Sequence, residues 1–168
     1  MTELIRPDVA WYDRWRAAYD EFGGVGLDGA GYFGTPPVAP SREDFEAMVA
    51  DRLAQEEPAT VMPPGLVHCT FRWITAGDDF IGFLAIRHEL NEFLLEQGGH
   101  IGYSVRPSRR REGHASRALA LGVAEARGLC IERVLVTCDV ENAGSRRTIE
   151  KNGGVLEDER QGKLRFWI

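Results

Sequence analysis

Two apolar runs in the middle of the chain constrain the fold more than any other feature of the sequence. Residues 67–74 and 80–86 are rich in β-branched and aromatic side chains, and the turn-like cluster Thr75–Asp79 separates them. This arrangement predicts an antiparallel β-hairpin. The apolar pattern changes at Leu66, so we expect the chain to build a sheet from there onward.

Strands and helices alternate after the hairpin. A strand over residues 100–105 ends before Pro107, and an arginine-rich loop follows it. Apolar periodicity and glycine stops predict the remaining elements. They are a short helix over 89–97, a helix over 114–127, a strand over 134–138, a helix over 143–152, and closing strands over 155–156 and 164–168.

The first part of the chain is predicted to be mainly helical. After a strand over 4–6, an apolar face predicts a helix over 10–22, and the glycine-rich segment 23–34 predicts a loop. A second helix is predicted over 41–57, with Ser41 as its N-cap. The order of elements is therefore β α α β β β α β α β β, which indicates an α/β fold. No domain boundary is visible, so a single domain is expected.

The charge balance argues against a protein whose main task is to bind nucleic acid. The chain has 20 Lys and Arg against 26 Asp and Glu, a net charge of −6 and a pI near 5.3. A local exception lies between Arg106 and Arg117, where five arginines accompany one acid, Glu112. This basic patch inside an acidic chain is the first indication of function.

Neither a membrane-spanning run nor a signal peptide is visible. The longest near-continuous apolar run, 80–86, has the length of a strand, and residues 1–7 lack a basic and an apolar segment. We therefore expect no membrane association and a cytoplasmic location. Cys69, Cys130 and Cys138 are odd in number and widely spaced, which favours buried reduced thiols over a disulfide or metal framework.

The segment from Val105 to Ser116 carries the clearest chemical signal. It is predicted to be a strand, a short basic loop and a helix. The free N–H groups and partial positive charge of a helix N-terminus bind phosphate, and neighbouring arginines add charge-assisted hydrogen bonds. We therefore expect a pyrophosphate site; the alternative is a solvated loop with an ordinary turn at Gly113. Neither a Walker loop nor a dinucleotide-binding fingerprint is present.

Three stretches of the sequence resemble the GNAT superfamily of acyl-CoA-dependent N-acyltransferases. They are Gly102–Pro107, Arg110–Ala115 and Asn142–Gly153. The resemblance implies a GNAT fold with a mixed central sheet and acetyl-CoA as cosubstrate, with no metal. Residues 66–168 would form the sheet and the acyl-CoA-binding core, and residues 1–65 would flank the acceptor site.

A second resemblance concerns a subgroup of that superfamily. Residues 87–91 and 98–103 are similar to a group of bacterial predicted acetyltransferases whose substrate is undefined. The superfamily resemblance implies transfer of an acetyl group to a primary amine of a small molecule or peptide, and the subgroup similarity adds little to it. The acceptor itself does not follow from this similarity.

The resemblance also assigns the cofactor-binding residues. Arg110, Gly113 and Ala115 match the family signature, which implies that nearby backbone amides hold the pyrophosphate of coenzyme A. Val105 matches the position of a strand amide that polarises the thioester carbonyl. Asn142 matches an asparagine beside the cofactor arm, and it could also be a plain N-cap. The full implied set is Val105, Arg110, Arg111, Gly113, His114, Ala115, Ser116 and Asn142.

A general base is needed because an alkylamine is protonated at neutral pH. His100 is the first candidate, since it lies where several family members carry a glutamate base and since imidazole titrates near neutrality. Alternatively, His100 fixes its strand to the neighbouring segment 87–88. Glu89 and Glu92 are reserve bases or anchors for a cationic substrate, although a solvated helix face is the favoured interpretation of both. His114 lies too far along the loop to act as a base.

One departure from the family pattern affects the general acid. Many members carry a tyrosine in the last helix that protonates the departing thiolate, and here Ile149 matches that position. Tyr103, Cys138 or a water could replace it. The missing tyrosine also motivates the alternative of a non-catalytic acyl-CoA-binding or regulatory module.

The partners beyond acetyl-CoA follow from weaker signals. The acids of the first 65 residues favour a cationic amine acceptor, and the terminal strands would permit a homodimer. A nucleic-acid partner would require a wide basic face, which the acidic chain does not suggest.

Overall fold

Strands and helices follow one another in the predicted order. The computed structural model describes residues 1–168. The strands are β1 (Thr2–Ile5), β2 (Cys69–Ala76), β3 (Asp79–Arg87), β4 (Ile101–Val105), β5 (Leu135–Asp139), β6 (Val155–Arg160) and β7 (Lys163–Trp167). The helices are α1 (Tyr12–Phe22), α2 (Arg42–Ala54), α3 (His114–Gly128) and α4 (Ala143–Lys151). The α/β fold class is confirmed.

One seven-stranded mixed sheet contains all the strands, in the order β1-β2-β3-β4-β5-β7-β6. Neighbours are antiparallel except β4 and β5, which are parallel and pair in register only at Ile101 and Val136. The two strands therefore separate beyond that pair. This separation opens the sheet at its centre, and the functional site forms there.

Helices cover both faces of the sheet and create two apolar cores. On one face α3 packs against β3 and β4, with Leu84, Ile101 and Leu119 almost fully buried. On the other face α1 and α2 bury an aromatic cluster that includes Trp15 and Phe45. The predicted apolar face of residues 10–22 is the face that enters this second core.

Side chains that cap the chain locally set the start of two helical segments, one as predicted and one not. Ser41 and Asp44 form the expected capping box at the start of α2, with Asp44 N donating to Ser41 Oγ at 3.1 Å. The helix expected over 89–97 is wrong in extent: only a short helical segment forms, ending in the π-helical turn Leu94–Gly98. Asn91 Oδ1 caps that turn by accepting from Leu94 N at 2.9 Å.

Cysteines and possible metal ligands are scattered through the fold. Cys69 and Cys138 are buried free thiols, as expected, whereas Cys130 is exposed just beyond the end of α3. No group of three or more His, Cys, Asp or Glu side chains is arranged to hold a metal ion. None of the helices combines the length and apolarity that crossing a bilayer requires.

Candidate active site

A cleft of about 1000 Å³ occupies the opening between β4 and β5. At one end it is lined by the start of α3 and one face of α4. At the other end it is lined by the loop between α1 and α2 and by the end of β3. The cleft therefore joins a basic end, which contains the predicted phosphate loop, to a second end built largely from the first half of the chain.

The edge of β4 presents a backbone donor to the cleft. Arg106 N donates to Ile81 O of β3 at 2.8 Å. Successive N–H groups along a strand point to opposite edges, so the N–H of Val105 points away from β3. β5 has no paired residue at that level. Val105 therefore has a free N–H directed into the gap, as the resemblance implies.

The loop before α3 has the geometry of an anion-binding site. Gly113 has φ of +85° and Arg111 has φ of +65°, so the backbone turns sharply at both residues. The hydrogen-bonded helix begins with Arg117 N donating to Gly113 O at 3.1 Å. The N–H groups of His114, Ala115 and Ser116 consequently have no acceptor within the helix, and such groups bind phosphate.

The side chain of His114 is held by the protein. Its Nδ1 is 2.9 Å from Thr2 Oγ1 and its Nε2 is 3.2 Å from Glu112 Oε2. His114 is therefore suited to bind a ligand through its backbone, which agrees with the expectation that it is no general base.

The five arginines of the basic patch divide into three groups. Arg106 and Arg109 form ion pairs with Glu21 and Asp79 and thereby tie the loop to α1 and β3. Arg110 and Arg111 line the cleft and have no carboxylate partner, and Arg117 lies outside the cleft. Only two of the five are thus free to bind an anion in the cleft.

Two further cations, which sequence reasoning missed, complete the basic end of the cleft. Arg147 and Lys151 lie four residues apart on α4, both line the cleft and neither pairs with a carboxylate. Their spacing on one face of a helix beyond Asn142 was the available signal. Four unpaired cations and a free helix N-terminus suit a ligand that carries several phosphate groups.

Asn142 has the capping role that the sequence allowed. Its Oδ1 accepts from Ser145 N at 3.0 Å, which makes it the N-cap of α4, and the residue also lines the cleft. The cap fixes the start of α4 beside the gap between β4 and β5.

Hydroxyl groups lie where β4 faces α4. Tyr103 Oη is 2.8 Å from Ser145 Oγ, and both residues line the cleft beside Cys138. Burial raises the pKa of Tyr103 to about 12 and also raises the pKa of the Cys138 thiol. Both groups therefore keep their protons at neutral pH. Ile149, by contrast, is fully buried in the core.

His100 lies outside the cleft. Its Nδ1 accepts from the backbone N–H of Leu135 at 2.9 Å, and its ring contacts Trp167 edge-on. Burial, together with the charge of Arg87, lowers the pKa of His100 to about 4. The ring therefore fixes β4 to β5 and β7 rather than to segment 87–88, and its place outside the cleft removes the geometric basis for a base role.

The second end of the cleft contains few charged groups. Glu89 and Glu92 do not line it, and Asp28 is the only acid of the first 65 residues that does. The other lining carboxylate, Asp139, pairs with Lys163 at 2.6 Å. Asp28 is therefore the one cleft carboxylate without an ion pair, and the acids of α2 offer no direct contact to a cationic ligand here.

The comparisons with known proteins agree with this geometry. A family model described as an acetyltransferase (GNAT) domain matches residues 28–155. RimL, a ribosomal L7/L12 alpha-N-protein acetyltransferase in complex with coenzyme A, has a TM-score of 0.68 and 17% identity, covering 99% of this chain and 92% of that chain. The microcin C7 self immunity acetyltransferase MccE, in complex with acetyl-CoA and AMP, has a TM-score of 0.70 and 13% identity, with 99% and 91% covered.

A third similar structure is RimJ from Mycobacterium smegmatis in complex with CoA-disulfide, with a TM-score of 0.70, 18% identity, and 99% and 81% of the chains covered. A comparison with curated proteins found no match. The family model covers most of the sequence, and the similar structures share its fold. The chain therefore belongs to the GNAT acetyltransferase family.

Proposed function

We propose that the protein is an acyl-CoA-dependent N-acyltransferase that moves an acetyl group from acetyl-CoA to a primary amine. One observation carries this proposal: a single cleft joins a free helix N-terminus, four unpaired cations and a free strand N–H. The helix N-terminus and the cations match the phosphates of acetyl-CoA, and the strand N–H matches its thioester carbonyl. The opening beside β4 is continuous between them, so an extended arm fits.

The basic end of the cleft holds the cosubstrate. The backbone N–H groups of His114 to Ser116 bind the pyrophosphate, just as the free N–H groups of other helix N-termini bind phosphate. Arg111, Arg147 and Lys151 offset the charge of the remaining phosphate oxygens. Val105 N donates to the thioester carbonyl oxygen and stabilises the negative charge that develops there when the amine attacks.

Asp28 receives the amine at the other end. Its carboxylate holds the ammonium group and takes a proton from it, directly or through a water, which frees the nitrogen lone pair. The nitrogen then forms a bond to the thioester carbon, the carbon–sulfur bond breaks, and the second surplus proton on the nitrogen passes to water. Asp28 lies close to Val105, because its backbone carbonyl accepts from Ser104 Oγ at 2.7 Å.

Tyr103 supplies a proton to the departing thiolate. Its hydroxyl keeps its proton at neutral pH and lies at the gap between β4 and α4. It thereby replaces the tyrosine that family members carry where this chain has Ile149. Proton donation by a positioned side chain contributes roughly 10²–10⁴ in rate, and a thiolate leaves readily enough that the loss of Tyr103 falls near the lower bound.

A thiol-release screen with acetyl-CoA and a broad panel of amines tests this function. Protein N-terminal peptides belong in the panel because the similar RimL acts on a ribosomal protein. We expect release with at least one amine and a loss of about 100-fold or more in kcat for Asp28→Asn, with unchanged affinity for coenzyme A. Asp13→Asn, at an exposed site on α1, is the matched control.

The alternative function predicts a different result. A non-catalytic acyl-CoA-binding module would bind coenzyme A tightly in calorimetry and release no thiol with any amine. That outcome would replace the enzyme proposal, whereas failure to bind coenzyme A would remove both.

A further inference from the structure

Arg87 is a mostly buried cation at the acceptor end of the cleft. It ends β3, and its Nη1 donates to the carbonyl oxygens of Gly98 and Gly99 at 3.1 and 3.4 Å. The guanidinium lies against Gly102 of β4, because a Cβ added there would be 3.2 Å from both terminal nitrogens. Its other N–H groups donate to no protein atom, and the residue lines the cleft.

No carboxylate pairs with Arg87, and this distinguishes it from every comparable arginine in the chain. The other arginines that are at least partly buried each form an ion pair. They are Arg16, Arg52, Arg72, Arg106, Arg109, Arg160 and Arg165. A buried charge without a partner is costly, so an anion supplied by a ligand would stabilise this site. Burial also lowers the pKa of Arg87, and the negative charge of a bound anion would raise that pKa again.

The surroundings of Arg87 favour a carboxylate over a phosphate. A carboxylate accepts two parallel hydrogen bonds from the fork of one guanidinium. No second cation and no helix N-terminus accompanies Arg87 at this end. The negative charge of the Asp28 carboxylate also raises the pKa of Arg87 and so offsets part of its positive charge. A phosphate dianion would need more positive charge than this end provides.

The distance along β4 sets the length of the acceptor. Arg87 lies beside Gly102, and the N–H of Val105 is three residues further along the same strand. At about 3.3 Å per residue the two points are roughly 10 Å apart. The amine and the carboxylate of a free α-amino acid are too close together to reach both, whereas an extended tripeptide spans about this distance.

We propose that Arg87 binds a carboxylate of the acceptor, so that the acceptor class is an amine carrying a carboxylate about two to three residues away, as in a short peptide. The proposal rests on the acyltransferase function and deepens it. It also replaces a purely cationic acceptor with one that carries both charges: the ammonium meets Asp28 and the carboxylate meets Arg87.

Matched peptides test the proposal by calorimetry on the protein saturated with coenzyme A. The probes are triglycine, triglycinamide and free glycine, and an amidated tripeptide with aspartate at its third position. We expect triglycine to bind at least tenfold more tightly than triglycinamide, and glycine to bind weakly. Preferred binding of the amidated aspartyl peptide would assign the carboxylate to a side chain rather than to a chain terminus. Equal binding of triglycine, its amide and the aspartyl peptide, or no binding of any of them, overturns the proposal.

Variants separate recognition from a merely structural role. Arg87→Gln should weaken the binding of triglycine and leave that of triglycinamide unchanged, so the preference disappears. Arg87→Lys should restore part of the preference. If Arg87 only held the Gly98 and Gly99 carbonyls, Arg87→Gln would weaken both peptides equally. Arg117→Gln, an exposed arginine outside the cleft, is the control and should keep the full preference.

The two levels of the proposal fail differently. The calorimetric preference requires no turnover, so it can hold or fail whatever the thiol-release screen shows. Thiol release from amines without a carboxylate, at rates equal to those of triglycine, would support the acyltransferase function and contradict the proposed carboxylate site. Absence of thiol release, with the preference intact, would remove catalysis instead.

Discussion

The hydroxyl of Tyr103 on β4 lies 2.8 Å from the hydroxyl of Ser145 on α4. This contact bridges the two elements that line the opening of the sheet, and it places a protonated tyrosine in the cleft although α4 carries Ile149 at the expected tyrosine position. The proposed proton donor therefore lies on a neighbouring strand rather than on α4.

Tyr103→Phe is predicted to lower kcat by about 100-fold, because it removes the proton donor and keeps the ring. Affinity for coenzyme A should change little. Steady-state kinetics of thiol release and calorimetry with coenzyme A provide the two measurements. Ser145→Ala keeps the tyrosine and should have the smaller effect; an equal effect of both variants would assign the proton to the serine instead.

Gly113→Ala is predicted to weaken coenzyme A binding about tenfold. No atom lies within 4 Å of the added Cβ. However, a residue with a side chain is strained by roughly 1–3 kcal/mol at φ of +85°, which disfavours the loop conformation that binds the pyrophosphate. Gly113→Glu should bind more weakly still, because it adds a negative charge beside the pyrophosphate. Gly128→Ala, which also has open space and lacks a positive φ, is the control for both titrations. Normal affinity in Gly113→Glu would contradict the phosphate-loop assignment.

The buried His100 is predicted to make the fold acid-sensitive. Its pKa is about 4 in the folded protein, against about 6.5 in the unfolded chain, so the unfolded state binds the extra proton first as the pH falls. Stability should therefore decline between pH 6.5 and 4, by roughly 3 kcal/mol from this group, and stay unaffected above pH 7. Urea unfolding across this pH range measures the decline.

Two outcomes check the role of His100. His100→Gln should flatten the pH dependence of stability below pH 6.5, because it removes the group that titrates there. Turnover per folded molecule should survive at neutral pH, since the ring does not reach the cleft. Loss of turnover in a folded His100→Gln protein would restore His100 as the base.

Glu21→Gln is predicted to destabilise the fold by about 1–3 kcal/mol. Burial by itself would raise the pKa of Glu21, but hydrogen bonds from Ser108 and Arg106 outweigh it and hold the pKa below its usual value. The carboxylate accepts from Arg106 Nε at 2.6 Å and joins α1 to the loop that precedes α3. Urea unfolding measures the loss, and Glu132→Gln, in an exposed loop, should show none.

Sequence patterns determined the elements of this protein and much of its basic end. The hairpin, the capping box at Ser41 and the strand–loop–helix around Gly113 depend on neighbours along the chain, so their periodicity and turn residues predict them. The helix predicted over 89–97 was wrong in extent because Asn91 and the glycines at 98 and 99 act locally to restrict it to residues 92–98.

Only the tertiary structure decided which charged groups are free. Arg106 and Arg87 are both arginines near β4, yet one meets Glu21 of α1 and the other meets no carboxylate, because the fold brings different distant elements beside them. His100 was misplaced for the same reason, since the amide of Leu135 that fixes it comes from another strand. Local pattern sets backbone conformation, whereas long-range packing sets the partners of a side chain, and the chemistry of this cleft depends on those partners.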